Sequence, residues 1–182
     1  MTDRCGPAIP LNEKDRAAMK KVVKANARDN ALYVIGCNTA FRASDILAMN
    51  VGDVAGKTEV RVKEKKTSKW RQVPLNAAVI EALKPLTDGR AATEPLFVGE
   101  KRKTRLTVCT LSRLWRSWAE DAGIGGKVAS HSGRKTFSRT NFERGVRIET
   151  LMVALNHSSP AQTLAYIHVL PSEVEALYSN PI

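Results

Sequence analysis

Two rhythms organise the apolar positions of this chain, one close to the 3.6-residue period of a helix and one of two residues. Ala18, Met19, Val22 and Val23 fall on one face after Asn12, a residue suited to capping, and Asp15 sits where a helix dipole favours negative charge. A helix over 13–26 is predicted. The apolar run ALYVIGC at 31–37 precedes TAFRASDILAM, in which Ile46, Leu47 and Met49 predict a short helix starting close to Arg42. Arg42 then sits at a junction between helices.

The rhythm changes at Glu59–Glu64 (EVRVKE) and at Arg71–Leu75 (RQVPL), which alternate with period two on either side of the polar KKTSKW. A two-stranded hairpin is predicted, with Pro74 near the end of an edge strand. Asn76 should start a helix over 77–84 and Pro85 should stop it. Residues 86–106 read as loop, with a brief apolar LFV at 96–98 and a basic cluster of Lys101, Arg102, Lys103 and Arg105 expected to face solvent or phosphate.

From 110 to 122 the residues Leu111, Leu114, Trp115, Trp118, Ala119 and Ala122 form the clearest amphipathic stripe in the chain, with Gly123 as a C-cap. Both tryptophans are expected in the core. Further helices are predicted over 132–143, with Phe137 and Phe142, and over 149–155; a third starts at Pro160 and carries Tyr166 on it or near its end. Ser172 and Glu175 suggest a capping box for a last short helix whose apolar face includes Val174 and Leu177.

Composition narrows the class. A chain of 182 residues with 43% apolar content is long enough for one domain with a real core and too short for two full-sized ones. No run of eighteen apolar residues and no apolar leader occurs, so no membrane role is expected and the cytosol is the default compartment. Cys5, Cys37 and Cys109 are odd in number and widely spaced, which argues against a disulfide framework or a thiolate zinc site.

Charge is more informative. The formal net charge is +11, and residues 57–147 hold 21 basic against 9 acidic side chains, whereas 148–182 hold none against 3. Phosphate neutralisation by Lys and Arg dominates nucleic-acid affinity, so the middle segment is the expected DNA face.

Within that frame, HSGR at 131–134 puts an imidazole and a guanidinium on one helical face if a helix begins there. Twenty-three residues after Arg134 comes His157, in LNHSSPAQTLAYIHV, with Tyr166 nine positions further on. This box resembles that of the tyrosine site-specific recombinases of the phage-integrase type, in which a leucine, glycine and histidine precede a polar turn and a nucleophilic tyrosine. TAFRASDIL resembles the family's first arginine motif, with Arg42 and the acidic Asp45, and KKTSKWRQVPL resembles its hairpin lysine motif, by which the lysine is Lys66, with Lys65 the alternative.

The resemblance implies an α+β fold, mainly helical with a small antiparallel sheet, as in the DNA breaking-rejoining enzymes. It implies six catalytic residues, Arg42, Lys66, His131, Arg134, His157 and Tyr166, with Asp45 as the partner of Arg42. Tyr166 attacks a DNA phosphodiester, the two arginines bind its nonbridging oxygens, and His131 accepts a proton or organises the phosphate. His157 donates to the phosphate and Lys66 protonates the leaving 5′ oxygen. The residue types suit this task. Arg offers fork-shaped donors that stay charged at any working pH, while a tyrosine with an ordinary pKa of about 10 needs cations and a base nearby to lose its proton. The guanidiniums carry the charge that Mg²⁺ carries in two-metal nucleases, so neither metal nor cofactor is expected.

Lys65, Lys69, Arg71, Lys101, Arg102, Lys103 and Arg113 are the candidate DNA contacts, Arg113 because the amphipathic helix is the one that by resemblance enters the major groove. The expected partner is a double-stranded recombination site, bound by a monomer that becomes a tetramer on DNA, with an accessory DNA-bending protein or a partner recombinase as a further candidate. A bacterial or phage origin and association with the nucleoid follow from the same resemblance. Two departures stand out. Asn156 replaces the usual Gly before the second histidine, and Lys135 stands where the family often has another histidine in a position not required for chemistry. The family's separate N-terminal clamp domain is not visible in 1–182, so a single catalytic domain is expected, either excised from a longer enzyme or of the compact single-domain kind. Two rivals remain: a type IB topoisomerase-like relaxing enzyme using the same residues, and a DNA-binding regulator using only the basic face.

Overall fold

A computed structural model describes residues 7–63, 70–100, 104–169 and 171–179. Its elements run α1 (Glu13–Val23), α2 (Ala27–Asn38), α3 (Ala43–Ala48), α4 (Val51–Val54), β1 (Glu59–Lys63), β2 (Trp70–Pro74), α5 (Ala77–Thr87), α6 (Val108–Asp121), α7 (Ser130–Glu143), α8 (Ile148–Leu155), α9 (Pro160–Ile167) and α10 (Pro171–Ser179). The class is the expected α+β, mainly helical with one small antiparallel sheet.

Helix α2 is the axis. Ala31 through Gly36 are all buried, because α1, α3, α5 and α7 surround it, and this explains a continuous apolar run where a surface helix would show a stripe. The larger core gathers α1 to α6 with the inner face of the hairpin and the two tryptophans of α6; Trp115 is 1% exposed. A smaller core joins Ala40, Leu151, Leu155 and Ile167, with Phe137, Phe142 and Tyr166 packed against it. Helix α7 lies between the two.

In the hairpin, Val60 faces Val73 and Val62 faces Arg71, so the alternation read from the sequence fixes which side meets the core. Arg71 therefore points inward, its guanidinium 5.7 Å from the centre of the Phe41 ring, while Trp70 on the outer face is stacked by Arg61 at 4.8 Å.

Several boundaries differ from expectation. Helix α1 ends at Val23 rather than residue 26, because Asn26 is recruited to cap α2 by accepting from the Asp29 backbone. Helix α5 runs through Pro85 to Thr87. A proline in the last turn removes one backbone hydrogen bond, and burial of Leu83 and Leu86 on either side of it holds the helix together. Helix α6 starts two residues early, at Val108, capped by the Thr107 hydroxyl. Helix α10 begins at Pro171, so Ser172 lies inside its first turn instead of capping it; Val174 is 44% exposed and the Leu177 side chain is outside the described part.

Arg105 is exposed, as expected, but its guanidinium is also engaged by the fold: it donates to the Leu47 and Met49 carbonyls and to Asn50 Oδ1. It fastens the 86–106 connection to α3, with Leu96 and Phe97 buried beneath. Lys101, Arg102 and Lys103 lie outside the described residues.

Candidate active site

Three chain junctions meet on one face: the α2–α3 turn, the start of α7, and the α8–α9 turn. Each is shaped by local chemistry. Thr39 donates its hydroxyl to Ile35 at the end of α2, and buried Phe41 anchors the turn, leaving half-buried Arg42 at the N-cap of α3. One turn in, Asp45 is 1% exposed; Oδ1 accepts from Ser44, and Oδ2 has no hydrogen-bond partner among the described residues. The start of α3 favours a carboxylate there.

At the start of α7, Ser132 Oγ accepts from the Ala129 backbone, so the helix begins at Ser130 and puts His131 in its first turn, solvent-accessible at one edge and flanked by buried Ser130 and Ser132. Arg134, one turn on, is only 2% exposed. Its two terminal nitrogens donate to the Ala40 and Leu155 carbonyls. Those carbonyls lie two residues before Arg42 and two before His157, so a single guanidinium ties together the backbones that carry the other groups.

Asn156 adopts a left-handed conformation (φ 51°, ψ 51°), as its residue type allows, and reverses the chain at the end of α8. His157 follows, and its Nδ1 lies 3.0 Å from the hydroxyl of fully buried Thr163 on α9. Ser159 caps α9 ahead of Pro160, which brings Tyr166 onto its last turn.

Around Tyr166 the groups converge. Its hydroxyl is 3.5 Å from His131 Nδ1, the His157 ring meets it edge-on at 4.9 Å between centroids, and the Arg134 guanidinium stands 5.6 Å from the ring centre. His131 is held below the usual histidine range, first by burial and then by the positive charges of Arg134, Lys135 and Arg42. An imidazole so placed is neutral at neutral pH and can take a proton.

The structure thus brings Arg42, His131, Arg134, His157 and Tyr166 to one place, with Asp45 in the first turn of the helix that Arg42 caps. Lys65, Lys66 and Lys69 belong to the 64–69 connection between β1 and β2, outside the described residues. Arg113 is exposed on α6, whose first turns are tied to the start of α7 by a 2.8 Å hydrogen bond between the Ser112 and Ser130 hydroxyls. Sequence reasoning missed two neighbours. Thr163 carries no periodic or motif signal that would mark it, and Lys135 was set aside although it packs against Tyr166. Among the described residues no group of three His, Cys, Asp or Glu side chains is placed to hold a metal ion, and no helix is long and apolar enough to cross a membrane. The arrangement offers a hydroxyl nucleophile, a proton acceptor and fixed cations for an anionic substrate.

Comparison with known proteins gives a consistent family. The model of the Phage integrase family matches residues 11–173. The Probable integrase/recombinase YoeC of Bacillus subtilis is 30% identical over 166 residues, covering 91% of each chain. The tyrosine recombinase XerC of Neisseria gonorrhoeae is 31% identical over 157 residues, 84% of this chain and 51% of that protein. Among solved structures, XerA recombinase superposes with a TM-score of 0.81 at 23% identity over 97% of this chain and 67% of that one. XerH recombinase in a post-cleavage complex with its difH substrate gives 0.75 at 22% identity, over 96% and 53%. This chain spans about half the length of XerC and XerH, and at these identities the structural likeness is one of fold.

Proposed function

Because this chain belongs to the phage integrase family, we propose that it recombines DNA at specific sites by cutting and rejoining strands through a covalent bond to Tyr166. The observation that carries this reading is the Tyr166 hydroxyl 3.5 Å from His131 Nδ1, with the Arg134 guanidinium over its ring and the charge of Arg42 close by.

The steps follow from the geometry. Arg42 and Arg134 bind the nonbridging oxygens of a phosphodiester, and the backbone bonds of Arg134 keep its plane fixed as charge builds on phosphorus. In the tautomer in which Nδ1 accepts from the Thr163 hydroxyl, His157 carries its proton on Nε2 and donates it to the same phosphate. Tyr166 attacks phosphorus while His131 Nδ1 takes the phenolic proton. The new bond joins the phenolic oxygen to phosphorus, and the bond to the 5′ oxygen breaks. Lys66, or Lys65, supplies the proton to that oxygen. The 3′-phosphotyrosine keeps the phosphoester bond, so a 5′ hydroxyl from another duplex reverses the step without ATP, metal or nucleotide cofactor.

Helix α7, which packs on α2 and α6 of the larger core and supplies Phe137 and Phe142 to the smaller one, supports a single catalytic domain. The partner in this reading is a double-stranded recombination site, bound by monomers that assemble as a tetramer on DNA in the cytoplasm. A nicked suicide substrate carrying the protein's own site tests the reading. Wild type traps a covalent protein–DNA adduct and Tyr166→Phe traps none; absence of an adduct with wild type overturns it in favour of a DNA-binding protein without cleavage.

A further inference from the structure

Lys135 is a charged residue where charge is costly. It follows Arg134 on α7 and is 7% exposed, and burial pushes its ammonium below the usual lysine range. Side chains of this type are almost never so buried without a partner. Among the described residues its polar and ring partners belong to α9. Nζ donates to the Ala165 carbonyl at a long 3.4 Å and stands 5.6 Å from the centre of the Tyr166 ring, the same separation as the Arg134 guanidinium.

The Ala165 carbonyl is available for a structural reason. His168 turns into the left-handed conformation (φ 58°) and its N–H goes back to Leu164, so α9 ends there and the carbonyls of its last turn have no further helical N–H to accept. A cation at this end complements the helix dipole. Lys135 therefore does two things with one group: it closes the C-terminal end of the helix that carries the tyrosine, and it brings a second positive charge to the ring that must become an anion.

We infer that Lys135 is a positioning residue for Tyr166, fixing α9 against α7 and setting the phenol beside His131 for attack. The inference rests on the proposed role of Tyr166 as the nucleophile. Lys135 touches neither phosphate nor leaving group in this account, and acts through the tyrosine.

The test is single-turnover cleavage of a nicked suicide substrate, measured together with DNA affinity and thermal unfolding for wild type, Lys135→Met and Lys135→Arg, with Tyr166→Phe as the control. Methionine keeps the length and apolar packing of the stem while removing the charge and the donor. A desolvated cation–π contact together with a helix-end hydrogen bond corresponds to a loss of about tenfold or more in cleavage rate for Lys135→Met. DNA affinity should change less than about twofold, because no phosphate contact is removed. Lys135→Arg restores most of the rate. Equal cleavage by Lys135→Met and wild type overturns the inference. So does a parallel fall in affinity, melting temperature and rate that Lys135→Arg does not rescue, which is the signature of a merely structural residue. An adduct formed by wild type and not by Tyr166→Phe shows that the nucleophile reading stands whichever way Lys135 falls.

Discussion

The hydroxyl of Tyr166 and Nδ1 of His131 lie 3.5 Å apart across the faces of α9 and α7, although 35 residues separate them in the chain. The tautomer sets the direction of the pairing: burial and the charges of Arg134, Lys135 and Arg42 hold His131 below the usual histidine range, and the neutral ring with its proton on Nε2 offers Nδ1 as the acceptor for the phenol.

That direction sets a pH dependence. Cleavage needs neutral His131, so the acid limb of the single-turnover rate should fall below about 6.5, the ordinary histidine value. A limb centred above about 7 in a rate-against-pH profile would contradict the assignment of His131 as base. Stability has the same sign: unfolded His131 takes up a proton that folded His131 resists. Its contribution is thus full at neutral pH and is lost as pH falls from about 6.5 toward the folded value.

Arg134 should prove structural as well as functional. Arg134→Ala leaves the buried Ala40 and Leu155 carbonyls without their donors, at a cost of about 1–3 kcal/mol each. Urea unfolding should show a lower midpoint alongside lost cleavage. A variant as stable as wild type would mean that water replaces the guanidinium.

Gly133 sets the approach of α7 to α2. A Cβ at this position would lie 2.8 Å from the Gly36 carbonyl carbon and 2.9 Å from the Trp115 ring. Gly133→Ala should destabilise by about 1–3 kcal/mol. It should also slow cleavage, because His131 and Arg134 ride on the displaced helix. Unchanged melting and rate would show that α2 and α7 can separate freely.

Asn156 holds a left-handed turn that an alanine reaches only at a cost of about 1–2 kcal/mol. Asn156→Ala should lower stability by that order and disturb His157, while Asn156→Gly should fold with little backbone penalty. Equal melting temperatures for the two variants would count against the turn as the reason for asparagine here.

Arg105, for all its charge, should matter to the fold rather than to DNA. Its three acceptors on α3 and the α3–α4 junction imply a loss of about 1–3 kcal/mol for Arg105→Ala. The slope of log affinity against log salt should stay within error of wild type, whereas loss of a phosphate contact lowers it by about one. A reduced slope with unchanged stability would reverse the assignment.

How much was legible beforehand depended on whether a feature is local. Asn12 and Asn76 marked helix starts correctly because a cap is formed by neighbours three residues away. The alternation in EVRVK fixed the inward face of the hairpin, and the stripe of α6 placed both tryptophans in the core. The continuation of α5 through Pro85 was not legible, since it rests on burial by distant residues. Nor was the anchoring role of Arg105, which depends on carbonyls more than fifty positions away.

The site divides in the same way. The sequence by itself determined the inventory: two arginines, two histidines and a tyrosine, their order and the spacing that resembles a known family, because residue identity and spacing are properties of the chain. Only the tertiary structure decided that Arg134 is locked to the two backbones bearing Arg42 and His157, that His131 is neutral beside Tyr166, and that Lys135 lies against the tyrosine's ring. These depend on burial and on angles between helices, and the charge and reach of a side chain at a shared, partly buried site exist only once the separate segments have packed around it.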